Sequence, residues 1–368
     1  MLKILLYPFS LLYGIIVYIR NRMYDLNIFK STEFDVPVIS IGNITVGGTG
    51  KTPHVEYIVN LLKEKFEIAT LSRGYKRKTR GFVKVETDSP VVNVGDEPLQ
   101  IKKKFPEITV SVCENRVTGV EKILDPKKEK TPDVVILDDA FQHRRITPGI
   151  NILLIDYNRQ IKEDMLLPAG RLREGSYQMR RANIIIFTKC PNEITPIVRR
   201  IMQKEVRLKP YQELFFTTLV YDKIISVFSG PDLDERFFEK KEYAVLVVTG
   251  IASPVLIYKY LGKFTSSLDT LTFPDHHHYS ENDLRLIFRK FEKINSTRKI
   301  IVTTEKDAMH FKDISNLTVE FKEALYYLPV KIKFLDEEGR LFNKKILGYV
   351  GENKSNRELH KRKNSGQS

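Results

Sequence analysis

Apolar residues along this chain gather in short continuous runs instead of alternating with polar ones. VPVISIG, FEIATLS, ITVSVC, DVVILDD, INILLID and NIIIFTK follow one another between residues 36 and 189. Such runs predict strands buried on both faces, as in a parallel sheet. Stretches with helical spacing separate them, for example HVEYIVNLLKEKF (His54–Phe66). The order predicts a doubly wound, mainly parallel α/β domain over residues 26–212. A second series starts at Leu214, with LFFTTLVY, YAVLVVTGIASP, LTFPDHHHY, IIVTTEKDA and ALYYLPVKIKF. Within it, SENDLRLIFRKFEKI has the pattern of an amphipathic helix with Ser280 as N-cap. A second, smaller α/β domain over 213–349 accounts for this series. Residues 350–368 are polar, basic and aperiodic, and are expected to be disordered.

The first 22 residues, MLKILLYPFSLLYGIIVYIRNR, carry one charge, Lys3, before Arg20. An apolar stretch of about 18 residues can just span a bilayer. Pro8, Ser10 and Gly14 weaken a straight spanning helix, and no small-x-small cleavage pattern follows. Tyr7, Tyr13 and Tyr18 suit a membrane interface. The favoured reading is a membrane-associated helix over residues 1–25 that lies in the bilayer surface, with Arg20 and Arg22 toward acidic headgroups. A true span and a buried core helix stay open as alternatives.

Composition adds two constraints. In 368 residues, 42% are hydrophobic and 29% charged, which excludes a wholly disordered chain and leaves room for two domains. The net charge of +14 favours anionic partners: nucleic acid, an acidic lipid surface or a phosphorylated substrate. Cys113 and Cys190 form no CxxC pair and read as ordinary core thiols.

The sharpest motif is ISIGNITVGGTGKTPHVEYIV (Ile39–Val59). A strand, a glycine-rich loop and a helix follow in the order that phosphate binding requires. Gly47, Gly48 and Gly50 let the backbone approach phosphate oxygens, and backbone N–H groups from Thr45 to Thr52, Val46 and Thr49 included, face the anion. Lys51 would reach the β- and γ-phosphates of ATP, and the Thr52 hydroxyl would bind Mg²⁺. The glycine expected five residues before Gly50 is replaced by Thr45. An acidic metal partner comes from TPDVVILDDAFQHRR, an apolar strand ending in Asp138 and Asp139. Which of the two touches the ion is not readable. NVGDEPLQ places Asp96 and Glu97 after a turn glycine, and FPDHHHY sets three histidines after Asp275. A kinase acting on a hydroxyl needs a carboxylate to take its proton and a neighbour to tune it. LSRGYKRKTRG and LLPAGRLREG are basic loops expected on the phosphate-loop side.

These segments resemble the tetraacyldisaccharide 4′-kinase family of lipid A synthesis. Ten of them match in order across about residues 10–310, among them GNITVGGTGKTP, VGDEPL, ENRVTG, DDAFQHRR, FPDHHHY and TTEKDA. The resemblance implies a P-loop NTPase-like core with a smaller C-terminal α/β domain. It implies ATP-dependent phosphorylation of the 4′-hydroxyl of a tetraacylated glucosamine disaccharide 1-phosphate, giving lipid IV-A at the cytoplasmic face of the bacterial inner membrane. Asp96 then resembles the carboxylate that activates the hydroxyl, and His276 its charge partner. Asp138 and Asp139 resemble a metal-handling pair, and Arg116 a positive residue near the reacting phosphates. Thr49, Lys51 and Thr52 would hold nucleotide and Mg²⁺. Arg73, Tyr75 and Arg171 are candidate contacts of the lipid substrate. The chain departs from the family pattern at Arg171, where proline is usual, and at Lys76, where small residues are common.

Three rivals are weaker. Partitioning ATPases place a lysine before the double glycine, where this chain has Val46. No helix-turn-helix, zinc or RNA-binding signature supports a nucleic-acid partner. FTKC and TTEKDA only distantly resemble a guanine-specificity motif. A monomer acting at a membrane surface, with no nucleic acid, is expected.

Overall fold

The computed structural model describes residues 2–127, 130–159, 161, 164–228, 230–233, 239, 241–314 and 317–365. The six apolar runs of the first series all become strands. They are β1 (Val38–Asn43), β2 (Ile68–Ser72), β4 (Thr109–Val112), β5 (Val134–Asp138), β6 (Ile150–Asp156) and β7 (Ile184–Thr188), with the short β3 (Val83–Val85) between β2 and β4. Every residue of β1, β5, β6 and β7 is buried, as continuous apolar runs require. Two later strands join the same sheet, β8 (Glu213–Tyr221) and β14 (Val330–Phe334). The order is β14-β8-β7-β6-β1-β5-β2-β4-β3, parallel from β8 to β4 and antiparallel at both edges. The second sheet runs β11-β10-β12-β13-β9, from β9 (Ile225–Ser226), β10 (Ala244–Thr249), β11 (Ser267–Thr272), β12 (Lys299–Thr304) and β13 (Leu325–Leu328). It is parallel except at β9.

This arrangement corrects the expected division at residue 213. LFFTTLVY and VKIKF belong by hydrogen bonding to the first sheet, so the second sheet is built by residues 225–328 and the chain then returns. Hydrophobic pattern alone could not distinguish the sheets, because the central strands of both are parallel and buried. The closing helix also differs from expectation. It runs from Glu338 to Ser365, through the stretch expected to be disordered. Phe342, Ile346 and Val350 are buried on it, and Lys354 bonds Asp133 at 2.9 Å. A one-sided apolar stripe at this spacing anchors the helix, and its polar end continues the same turns.

The helices that matter for the site are numbered in chain order. They are α1 (Leu2–Asp25), α2 (Lys51–Leu62), α3 (Val91–Val94), α4 (Asp96–Lys104), α5 (Arg116–Ile123), α6 (Pro196–Val206), α7 (Val255–Leu261), α8 (Glu281–Glu292), α9 (Glu305–Lys312), α10 (Val319–Ala324) and α11 (Glu338–Ser365). In α8, Ser280 makes a full capping box with Asp283. One buried core runs through both sheets, from Ile39, Val59 and Ile136 to Val248, Ile301 and Phe311.

The first helix is docked along a polar stripe, not inserted in the core. Ser10 Oγ donates to the Leu166 carbonyl at 2.9 Å, Tyr13 to that of Arg173 at 2.9 Å, and Arg20 to that of Gln142 at 2.8 Å. Gly14 sits where a Cβ would strike Leu166 at 2.7 Å. Away from this stripe Leu5, Phe9, Leu12 and Ile16 are more than half exposed. No helix among the described residues is long and apolar enough to cross a membrane.

Candidate active site

The glycine-rich loop leaves β1 at the carboxyl edge of the first sheet, where the order reverses between β5 and β6. Its positive backbone angles fall on Gly47 (φ 105°) and Gly50 (φ 82°), both residues that adopt them freely. Thr45 keeps an ordinary φ and forms an antiparallel bridge with Leu172. The substitution that looks like damage in the sequence thus falls where no glycine is needed. Around the loop, Val46 N–H donates to the Arg171 carbonyl at 2.7 Å and Arg159 Nη1 to the Val46 carbonyl at 3.2 Å. Lys189 Nζ donates to the Gly48 carbonyl. Thr49 is fully buried, its hydroxyl accepting from Asn43 at 2.9 Å and its carbonyl from Thr188 at 2.9 Å. His54 closes the first turn of α2: Nδ1 donates to the Gly50 carbonyl at 2.7 Å and Nε2 accepts from Thr217 at 3.1 Å. Burial holds it neutral, pushed down to about 4.

A cleft opens between this loop and the second sheet. Residues 46–53, Asp139, Arg173 and Lys189 line one side, and Ile251, Ser253, Asp275, His276 and Lys306 the other. Leu219, Tyr221, Leu328 and Val330 give it an apolar floor. Lys51 Nζ lies 3.7 Å from Asp139, and Arg173 Nη1 donates to both Asp139 oxygens at 3.0 and 3.2 Å. These cations overcome burial and hold Asp139 below its ordinary value. Asp138 is different. Burial first, then the Glu97 charge, push it up to about 7, and its Oδ1 has no hydrogen-bond partner. A buried carboxylate with an orphaned oxygen, beside Lys51 and the loop that carries Thr52, is a donor set a divalent cation fits. Among the described residues no group of three or more His, Cys, Asp or Glu could hold a metal. Mg²⁺ does not require one, since it keeps waters and takes phosphate oxygens.

Across the cleft, two distant segments meet. His276 Nδ1 donates to Asp96 Oδ2 at 2.8 Å. Asp96 is 4% exposed, and its Oδ1 accepts from the Glu97 N–H in the first turn of its own helix at 3.0 Å. Lys306 Nζ and His310 Nε2, one turn apart on α9, lie 3.7 and 3.6 Å from the same Oδ2. Burial alone would raise this carboxyl; the histidines and Lys306 reverse that and hold it ionised, well below the usual range. His276 itself has φ 55°, a strained angle held by its N–H to Gly250 and by Lys76, whose Nζ donates to the Asp275 and His276 carbonyls at 3.3 and 3.2 Å. Lys76, odd against the family pattern, therefore ties the basic loop to the second sheet. Tyr75 lies with its ring 4.6 Å from that of His276. The three histidines diverge: His277 bonds Asp283 at 3.0 Å and His278 packs edge-on against His310.

Not every expected residue faces the cleft. Arg116 is buried, donates to the Cys113 and Glu114 carbonyls at 3.3 and 3.1 Å, and feels Asp138 and Asp139 only at longer range. The Arg171 side chain is exposed, and its backbone supports the glycine loop, while its neighbour Arg173 holds Asp139. Arg73 is exposed. Sequence reading missed Arg173, Lys189 and Lys306. Each lies in a quoted segment, LLPAGRLREG, FTKC and TTEKDA, but only folding shows which basic residue turns inward.

The profile of the family described as tetraacyldisaccharide-1-P 4′-kinase matches residues 2–348. A tetraacyldisaccharide 4′-kinase of Phocaeicola vulgatus is 45% identical over 95% of this chain and 96% of its own length. One from Flavobacterium johnsoniae is 42% identical over 96% and 98%. The crystal structure of LpxK from Aquifex aeolicus in complex with ATP superposes with a TM-score of 0.71 at 30% identity, covering 95% of this chain and 99% of that one. With a profile match over nearly its whole length, this chain belongs to the tetraacyldisaccharide-1-P 4′-kinase family.

Proposed function

We infer that the protein transfers the γ-phosphoryl group of ATP to the 4′-hydroxyl of a tetraacylated glucosamine disaccharide 1-phosphate, a step of lipid A synthesis. The observation that carries the mechanism is the 2.8 Å bond from His276 to Asp96 at the cleft facing the glycine-rich loop. That loop is read as the phosphate loop: backbone N–H groups from Gly47 to Thr52 cradle the phosphates, the Val46 N–H being taken by the Arg171 carbonyl, and Lys51 neutralises charge on the transferring group. Mg²⁺, held by the Thr52 hydroxyl and Asp138, would supply charge neutralisation across the β- and γ-phosphates. Asp139, clamped by Lys51 and Arg173, keeps both cations aimed at the cleft.

Asp96 orients the 4′-hydroxyl and accepts its proton. A carboxylate held strongly ionised is a weak base, which suits a loose phosphoryl-transfer transition state that needs the hydroxyl aligned more than deprotonated early. His276 holds the carboxylate in place. The second sheet, closing over the loop, keeps water from the γ-phosphate. Arg116 contributes long-range positive potential, and Tyr75 and Arg73 border the entry for the anionic headgroup. The exposed apolar face of α1, with Arg20 and Arg22 at its end, lies on the membrane surface at the cytoplasmic face of the inner membrane, and the protein acts as a monomer.

The test is transfer from ATP to purified tetraacyldisaccharide 1-phosphate. Asp96→Asn should lose about 10²–10⁴ in kcat while keeping its ATP affinity, and His276→Ala should lower turnover more than ATP binding. Full activity in Asp96→Asn removes Asp96 as base. No transfer to this lipid by the wild-type protein sinks the assignment.

A further inference from the structure

Three helices begin at the site, and their first residues carry its chemistry. α2 starts with Lys51 and Thr52, α4 with Asp96, and α9 with Glu305 and Lys306. One ammonium joins all three. Lys104, the last residue of α4, donates from Nζ to Glu56 Oε2 on α2 at 2.7 Å and to Glu305 Oε2 on α9 at 3.1 Å. Gln100, one turn earlier on α4, donates to the other Glu56 oxygen at 2.8 Å. Glu97, another turn earlier, accepts from Thr52 at 3.4 Å. Residues 97, 100 and 104 thus form one stripe along α4, and Thr52 and Glu56 form the matching i,i+4 pair on α2.

We propose that Lys104 is a positioning residue for the transfer reaction: it sets the distance between the nucleotide-binding helix, the Asp96 helix and the Lys306 helix. The inference rests on the functional reading above. Glu56 and Glu305 are 4% and 8% exposed, so their charges are shielded little by water and need the ammonium between them. Burial and the Glu305 charge push Glu56 up to about 7 even with Lys104 present. Lys104 in turn is held charged, its burial outweighed by the two carboxylates. An α-helix is stiff over the two turns from Asp96 to Lys104, so a shift at one end moves the other. Glu305 directly precedes Lys306, whose ammonium lies 3.7 Å from Asp96. Removing Lys104 takes away the cation bonded to both Glu56 and Glu305, so the direct tie from α4 to α9 is lost and Glu56 takes up a proton. The spacing of the three helix starts, where ATP and the acceptor must be in line, is then no longer set.

The experiment uses the full-length protein with ATP and detergent-dispersed tetraacyldisaccharide 1-phosphate. ATP-binding stoichiometry is measured in parallel, so that turnover is expressed per folded site. Lys104→Met should lose about 30–100-fold in kcat with KM for ATP changed less than about threefold, the signature of misplacement and not of lost binding. Lys104→Arg, which keeps the charge and both partners, should recover most of that loss. Glu305→Gln, which keeps the Glu56–Lys104 pair and so protects the fold, should lose about tenfold in kcat. The proposal is overturned if kcat per ATP site stays near wild type in Glu305→Gln, or in Lys104→Met where that variant folds. It is equally overturned if KM for ATP rises in proportion to the loss, or if Lys104→Arg is as impaired as Lys104→Met. Should Lys104→Met not fold, Lys104→Arg and Glu305→Gln decide. Absence of transfer by the wild-type protein would instead sink the functional reading itself.

Discussion

His54 shows how one side chain can support the glycine loop without touching substrate. Its Nδ1 faces a carbonyl, which only accepts, so the proton must sit there and Nε2 must accept from Thr217. Complete burial disfavours the charged ring, which is why it is held neutral down to about pH 4 instead of 6.5. Between these values the unfolded chain binds the proton and the folded one does not. The stabilisation is therefore complete above pH 6.5 and is lost as pH falls toward 4. His54→Gln should remove about 2–3 kcal/mol of the acid-side loss, visible as a flatter Tm-versus-pH curve from 6.5 to 4 than in the wild type. An unchanged slope would show that other groups carry it; His143, pushed down to about 4 by burial and neighbouring arginines, is the internal comparison.

At the scale of elements, α1 presents two different faces. Ser10, Tyr13 and Arg20 recur at helical spacing and bond the 142–173 loops, while Leu12 and Ile16, an i,i+4 pair, are 57% and 58% exposed. The sequence made the apolar excess plain but could not say which residues dock. The cause is that a polar atom's partner, here the carbonyls of Leu166, Arg173 and Gln142, lies far along the chain. A Leu12→Glu, Ile16→Glu double variant should bind vesicles with acidic lipid at least about tenfold more weakly. Its turnover of detergent-dispersed substrate should stay near wild type. Undiminished vesicle binding in a flotation assay would remove α1 as the contact.

At the scale of the whole molecule, the chain leaves the first sheet after β8, builds the second and returns as β14 and α11. Phe342 on α11 is 1% exposed and packs with Phe215, Phe334 and Tyr57, joining the end of the chain to α2. Phe342→Ala should cost about 3–5 kcal/mol. Because one core runs through both sheets, the loss should appear as a single shifted transition in denaturant unfolding. Two separate transitions would show that the second sheet unfolds on its own.

The amino-acid sequence alone determined most strands of both series, though not β3, β9 or most of β11, the Ser280 cap, the glycine loop with Lys51 and Thr52, and the nearness of that loop to Asp138 and Asp139. These are local: they follow from spacing within a few residues and from the edge of the sheet on which a βα loop must emerge. Asp96 and His276 were legible only through resemblance, since nothing in VGDEPL or FPDHHHY by itself says that they touch. Tertiary structure decided the rest. It assigned LFFTTLVY and VKIKF to the first sheet, extended the final helix through a polar tail, turned Arg173 inward instead of Arg171, and gathered Lys306, His310 and His276 on one carboxylate. For the strands and the final helix the deciding force is backbone pairing and apolar burial, and for the cleft residues burial of charge, each against a partner far away in sequence. A buried carboxylate costs so much that its cations must be found somewhere, and only the closed fold says where.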